Sequence, residues 1–379
     1  MKRLILVLGL FCVISSGKAL SQADKHVIEI SNPTPLTRKG ELVAISWDQI
    51  VSKYPKIDTA DFRIVEVISG KELPWQLEFK GEKKIQNLLI QLDINSNSSL
   101  RLEIQKGKSS LVKSKTFGRY VPERKDDFAW ENDKIAFRMY GKALEESPSE
   151  MAYGIDVWVK RTDRLILNER YKRGNYHTDF GDGLDFYQVG LTLGAGDIAP
   201  FIKDSIWYPK NYRRWRILDN GPLRTTFILE YDAWDVNGKK VTVEKKISLD
   251  AGSQLNRVEA NFSCDKKSVN TFVIGIAKRK EPGVLFLDEQ EGLMAYWEPK
   301  HGNDGTTGLG AVILPDVKGI TITDKQILSK VMTNEDQPIV YYTGATWDKA
   351  NEITSSNEWF EYIKSYKIRL LNPLRLTLE

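Results

Sequence analysis

Between about residues 26 and 113 the apolar positions fall into short runs at 27–30, 42–47, 62–68, 73–79, 88–94 and 100–104, each closed by turn-forming residues. Runs of that length and spacing read as the strands of a β-sandwich. Phe62, Ile64 and Ile68 share one face of their strand while Val65 and Val67 share the other, so this strand is expected to be covered on both sides. Ser69-Gly70 then turns the chain. In the return strand Trp75, Leu77 and Phe79 alternate with Gln76 and Glu78, the pattern of one face in a core and one in water. The unit spans roughly 90 residues, enough for one small domain.

Periodicity lapses in the polar stretch Lys106-Gly107-Lys108-Ser109-Ser110 and Lys113-Ser114-Lys115, which places a domain boundary near residue 115. Beyond Phe128 the strands lengthen. Asp235-Val236-Asn237-Gly238-Lys239 separates apolar runs at 227–234 and 241–249, and Asn-Gly supplies two residues able to take positive φ, so a hairpin is predicted there. Further strands are predicted at 272–277, 284–287, 293–297, 309–314 and 339–342. One helix stands out: Ser355 and Glu358 have the spacing of a capping box, and Trp359, Tyr362, Ile363 and Tyr366 recur on one helical face. No internal repeat occurs at a solenoid or propeller period. The predicted organisation is all-β: a small N-terminal sandwich over residues 22–115, then one large antiparallel two-sheet sandwich over 116–379.

The N-terminus alters the charge picture. Lys2 and Arg3 precede an apolar run at 4–15, and small residues follow around Ala19 to Ser21, so residues 1–21 read as a cleaved signal peptide that delivers the protein to the periplasm or outside the cell. A lipid anchor at Cys12 would need a small residue where Phe11 stands. Loss of Lys2, Arg3 and Lys18 takes the formal net charge from +4 to +1, which argues against a nucleic-acid binder. Cys264 is then the sole thiol; it excludes internal disulfides and a cysteine-based zinc site and reads as a buried, inert residue. No later apolar stretch reaches membrane-spanning length. Nucleophile elbows, phosphate-binding loops and dinucleotide fingerprints are missing, so serine hydrolase, kinase and dehydrogenase readings lack their motifs.

The densest chemistry lies in Tyr176-His177-Thr178-Asp179-Phe180-Gly181-Asp182-Gly183-Leu184-Asp185-Phe186-Tyr187. His177 is the first candidate for proton transfer near neutral pH, and Tyr187 offers a phenol nearby. Asp179, Asp182 and Asp185 are open to two other readings. They would suit a hard cation such as calcium, although the spacing is not that of an EF-hand, or they would bond their own backbone in a Gly and Asp turn. A second constellation, Trp207, Tyr208, Tyr212, Arg213, Arg214 and Trp215, interleaves aromatics with guanidinium groups; it suits sugar faces and planar oxyanions, or else an exposed amphipathic loop. Arg124, in the segment joining the two units, is a candidate substrate contact at a domain cleft, with a structural ion pair as the competing reading. His301 and Trp297 flank a Gly-rich loop, where His301 would either meet His177 in space or face solvent.

Four segments carry a resemblance: residues 121–138, His177-Thr178-Asp179-Phe180-Gly181-Asp182-Gly183, Asn220-Gly221-Pro222-Leu223-Arg224, and Gly344-Ala345-Thr346-Trp347. Together, in order and across nearly the whole mature chain, they resemble a largely uncharacterised family of exported proteins whose genes sit among polysaccharide-degradation genes. That family is similar to galactose-mutarotase-like supersandwich proteins, a fold of sugar epimerases and polysaccharide lyases. The resemblance therefore implies a β-supersandwich for the second unit. A related branch removes water from the terminal uronic acid of an oligosaccharide, so the resemblance implies a carbon-oxygen lyase, either a dehydratase or a polysaccharide lyase. In such a reaction His177 with Tyr187 or His301 would supply base and acid, and Arg213, Arg214 or Arg124 would neutralise the carboxylate. The alternatives are an epimerase or mutarotase, which changes no mass, and a non-catalytic glycan-binding protein that uses the Trp and Arg surface. No cofactor is required by these readings apart from the calcium alternative. The expected partner is a uronate-containing oligosaccharide, with no nucleic acid and no membrane span.

Overall fold

The computed structural model describes residues 26–110, 113–265, 269–333 and 337–379; the expected signal peptide lies outside these residues. The first sandwich has a five-stranded sheet in the order Arg375–Leu378, Val27–Ser31, Ser99–Lys106, Phe62–Glu66 and Glu72–Leu73. Facing it is a three-stranded sheet in the order Arg38–Ser46, Asn87–Ile94 and Trp75–Glu78. Ile28, Ile30, Ile64, Leu88, Ile90 and Leu102 fill the space between them with almost no solvent contact.

Two details differ from the pattern reading. The strand expected over 62–68 stops at Glu66, whose N–H donates to Lys71 O while its carbonyl accepts from Gly70 N, both at 2.9 Å. Val67 and Ile68 are left 43% and 88% exposed in that turn. The alternation at 75–79 is present, but its polar face is buried: Gln76 is 3% and Glu78 2% exposed. Gln76 Oε1 accepts the N–H groups of Leu223 and Arg224 at 2.7 and 2.8 Å, and Glu78 pairs with Arg224 at 3.0 Å. This polar face meets the second unit instead of water, because an alternating pattern records polarity and not what satisfies it.

The second unit is built on an eight-stranded antiparallel sheet in the spatial order Arg214–Asn220, Arg224–Val236, Lys239–Asp250, Leu255–Cys264, Ile339–Trp347, Thr307–Ile313, Leu293–Trp297 and Val284–Asp288. The predicted hairpin is present, with Asn237 at φ +54° and Gly238 at +81°. The facing layer is split into two five-stranded sheets. One runs Gly183–Leu184, Asp156–Lys160, Ile135–Met139, Asp127–Asn132, Thr116–Val121. The other runs Ser205–Ile206, Ala195–Ile202, Thr271–Ala277, Gln326–Met332, Val317–Ile322. A bulge between Ala195 and Asp197 lies within the second of these sheets, and Gly196 there has φ +98° and sits so close to Thr343 that a Cβ would lie 1.8 Å from its Oγ1. Phe128, Phe137, Phe227, Ile247, Ile274 and Tyr341 form one continuous core between the layers.

Among the described residues three α-helices decorate the sheets: α1 (Trp47–Lys53), α2 (Leu167–Arg173) and α3 (Ser356–Leu371). The first two are single short segments of 7 residues each, too brief to stamp a helical period on the sequence. The predicted cap of α3 is present at Ser355, and only the reciprocal bond of the box shifts by one residue. Ser355 Oγ accepts from Glu358 N at 3.3 Å, while the Glu358 carboxylate accepts from Thr354 N at 2.7 Å. Trp359, Phe360 and Ile363 pack on the outer face of the eight-stranded sheet. The chain then leaves the second unit: Arg375–Leu378 pairs with Val27–Ser31, so the last residues complete the first sandwich. Among the described residues no helix is long and apolar enough to cross a membrane.

Candidate active site

The strands Asp127–Asn132, Ile135–Met139 and Asp156–Lys160 are neighbours, and strand alternation sends Phe128, Phe137 and Val157 into the core. The same alternation sets Asp127, Arg138 and Asp156 on the opposite face, with Arg138 registered against Asp156. That face is covered by α2 and by the chain from 174 to 187, which lays Tyr176 on Trp158 with ring centroids 4.7 Å apart. Asp185 arrives from this covering segment. Arg138 thus meets three buried carboxylates: Asp156 at 2.5 Å, Asp185 at 3.2 Å and Asp127 at 3.5 Å.

One guanidinium cannot neutralise three carboxylates in a dry site, so protons are retained. Burial, reinforced by the charge of Asp156 and opposed by Arg138, pushes Asp185 up to about 8. Burial likewise pushes Asp127 up to about 6, against the pull of Arg138 and Arg124. The phenols of Tyr140 and Tyr171 are pushed well above their usual range by burial and remain protonated.

At the rim stands His177, with its side chain 66% exposed. Its Nδ1 lies 2.8 Å from the Asp185 carbonyl oxygen. A carbonyl only accepts, so the neutral ring carries its proton on Nδ1 and turns the Nε2 lone pair outward. Beside it, Tyr176 Oη accepts the Nε–H of Arg124 at 3.1 Å, and the Tyr176 and His177 ring centroids are 4.7 Å apart. Arg124 is partly exposed and also approaches Glu150 at 3.6 Å. A base, a phenol and a guanidinium therefore adjoin on one surface.

A second group continues from Asp185 through Phe186 and Tyr187. The Tyr187 ring is buried beneath Arg279, whose guanidinium carbon is 4.8 Å from its centroid, and Arg279 pairs with Glu298 at 2.5 Å. Burial pushes the Tyr187 phenol well up, and its Oη finds no hydrogen-bond partner among the described residues. His301 stacks on Phe186 with centroids 5.4 Å apart and donates from Nδ1 towards Asp304 at 3.3 Å. His177 and His301 thus flank the same dipeptide, Asp185-Phe186, from far-apart positions in the chain.

The other sequence candidates lie elsewhere. Asp179 pairs with Arg161 at 2.5 Å and accepts from the backbone of Gly181 and Gly183, Asp182 faces Arg173 at 3.3 Å, and Asp185 faces Arg138. The three carboxylates diverge to three arginines, and among the described residues no group of three potential ligands is placed to hold a metal. Arg213 is held by Glu145 at 2.8 Å, and Arg214 by Glu230 and Asp232 at 2.8 and 3.0 Å on the exposed sheet edge. Trp215 lies against Tyr120, Tyr208 is bonded by Gln326 and stacked on Tyr153, and Trp207 donates to Ile202 O. Tyr212 is buried in the main core and donates to Asp126 O. Trp297 joins the packing under α3, since alternation turns it away from Tyr296 and Glu298. Sequence reading assigned no site role to Arg138, Asp127, Asp156, Tyr176, Arg279 or Glu298. The available signal was Arg138 itself, a cation inside the apolar strand Ile135–Met139.

Residues 30–376 match a family described as a domain of unknown function, DUF4861. The chain belongs to this family. A relative from Formosa agariphila, described as uncharacterized protein P7, is 29% identical over 388 residues and covers 96% of each chain. Among solved structures, the family fold seen here is similar to an alpha-mannosidase from Enterococcus faecalis V583, with a TM-score of 0.51, 8% identity and coverage of 94% of this chain and 46% of that one. A second Enterococcus faecalis structure, of a protein in glycosyl hydrolase family 38, gives a TM-score of 0.51 at 8% identity, covering 94% and 47%. The chain spans about half the length of these structures, and the likeness is one of fold.

Proposed function

We propose that this protein is an exported carbohydrate-active enzyme that eliminates water or a glycosyl group from the terminal uronic acid of an oligosaccharide, leaving an unsaturated sugar. The observation that carries this reading is the outward Nε2 of His177 beside the Tyr176–Arg124 pair. The fold likeness to proteins named as a mannosidase and a family 38 glycosyl hydrolase supports a sugar substrate. Elimination across C4 and C5 needs the carboxylate neutralised, a base and an acid. Arg124 pairs with the uronate carboxylate and makes the C5 proton more acidic. His177 Nε2 takes that proton, its electron pair becomes the C4–C5 double bond, and the C4–O bond breaks. Tyr176, or His301 across Phe186, gives a proton to the departing oxygen, which leaves as water or as the alcohol of the cleaved sugar.

The test is incubation of the mature protein with uronate-containing oligosaccharides, following ultraviolet absorbance of the new conjugated double bond together with product mass. New absorbance with loss of one water indicates dehydration; new absorbance with chain cleavage indicates a lyase. His177→Ala is expected to keep the fold and to lose about 10²- to 10⁴-fold in turnover, the usual worth of one acid or base. Full turnover in a folded His177→Ala protein removes His177 from the mechanism. A second reading, epimerase or mutarotase, is favoured by the protonated carboxyl of Asp185 behind His177. It predicts an isomer of unchanged mass and no new absorbance.

A further inference from the structure

A cleft of about 730 Å³ lies where the first sandwich, the outer face of the eight-stranded sheet and α3 meet. Its floor follows from strand register. Thr226 is opposite Ser248, Ser248 opposite Arg257 and Arg257 opposite Tyr342, so four strands contribute one continuous polar row. Thr226 Oγ1 and Ser248 Oγ are 3.0 Å apart. In the adjoining row Lys246 pairs with Glu259 at 2.8 Å, and Arg257 contacts the same carboxylate. Tyr366 of α3 tilts over Tyr342 with ring centroids 5.4 Å apart, and Tyr362 stands next to it. The first sandwich adds Lys39 and Lys80 to the wall.

The charges do not cancel. The lining has six cations and four carboxylates, a surplus of two. Arg224 is matched by Glu78 and Asp250, and Arg369 by Glu41. The surplus therefore resides with Lys246 and Arg257, which share Glu259, and with the exposed lysines of the wall. Hydroxyls in a row, phenol rings and two cations that share a single carboxylate are the groups that bind sugar hydroxyls, sugar faces and an acidic substituent.

We propose that this cleft is a second saccharide-binding site, specific for an oligosaccharide that carries a carboxylate or a sulfate. It is separate from the candidate catalytic centre. The cleft floor is the outer face of the eight-stranded sheet, whereas His177 lies on the outer face of a sheet packed against the inner side, so the thickness of the sandwich separates them. The proposal goes beyond the catalytic reading and does not depend on it.

Calorimetric titration of the mature protein with a glucuronan hexasaccharide, a dextran sulfate hexasaccharide and neutral maltohexaose tests it, alongside hydrogen exchange over residues 246–259. At least one charged probe is expected to bind and to protect this segment in both the wild type and His177→Ala. The Lys246→Gln/Arg257→Gln variant is expected to lose about tenfold or more in affinity, the size of a lost charge-assisted contact. The two charged probes separate carboxylate from sulfate as the recognised group. If the double variant does not fold, Lys39→Gln/Lys80→Gln on the exposed wall replaces it. Equal binding of maltohexaose, undiminished affinity in the cleft variant, binding abolished by His177→Ala, or no binding by any probe would each overturn the proposal.

Discussion

Asp185→Asn is expected to remove a pH dependence of stability that the wild type carries between about pH 4 and 8. In the folded protein Asp185 holds its proton up to about 8, because burial and the neighbouring charge of Asp156 outweigh Arg138, whereas an aspartate in the unfolded chain titrates near 3.9. The folded value is raised, so the stabilisation is fully present below about pH 4 and is lost as pH rises through about 8. Each pH unit in which only the folded state keeps the proton costs ~1.4 kcal/mol, so Asp185 alone removes about 2 kcal/mol between about pH 6 and 8. Asp127, raised to about 6, acts mainly below that window. Asparagine keeps an oxygen that accepts from Arg138 Nη2, now at 3.2 Å from Asp185, and cannot titrate. Urea denaturation of both proteins at about pH 6 and pH 8 should give a wild type that weakens by about 2 kcal/mol more than Asp185→Asn, with equal slopes. Parallel losses in the two proteins would refute a protonated Asp185.

Arg138→Met strips the guanidinium that directly contacts three buried carboxylates; a loss of ~3–5 kcal/mol near neutral pH is expected in the same assay, and a loss under ~1 kcal/mol would contradict the cluster's electrostatics. Tyr176→Phe removes a phenol that Arg124 orients, so turnover of a uronate oligosaccharide should fall by about 10²- to 10⁴-fold at unchanged melting temperature. Undiminished turnover would transfer the acid role to His301.

Several features of the fold were legible because their causes are local. The Asn237-Gly238 hairpin needs only two residues that tolerate positive φ, and α3 needs only Ser355, Glu358 and an apolar stripe. The His177 segment was legible as chemistry because a histidine and three aspartates stand within nine residues. Its companions were not. Arg138, Asp156 and Asp127 lie in different strands, and the surplus of acids over cations exists only once those strands pair and the Asp185 segment closes over them.

The aromatic and basic stretch from Trp207 to Arg216 shows the opposite case. Its composition suits a glycan, yet Glu145, Glu230, Asp232, Tyr120 and Gln326, all from other elements, occupy its polar and aromatic groups. Gln76 and Glu78 likewise read as water-facing until the backbone of Leu223 and the side chain of Arg224 meet them. The sequence alone determined the strands, the hairpin, the α3 cap and the class of polar groups available, since each depends on sterics within a few residues. Tertiary structure alone decided which polar faces are buried, which arginine each carboxylate faces and which residues of the covering segment each histidine touches, because burial and charge coupling are set by neighbours far apart in the chain.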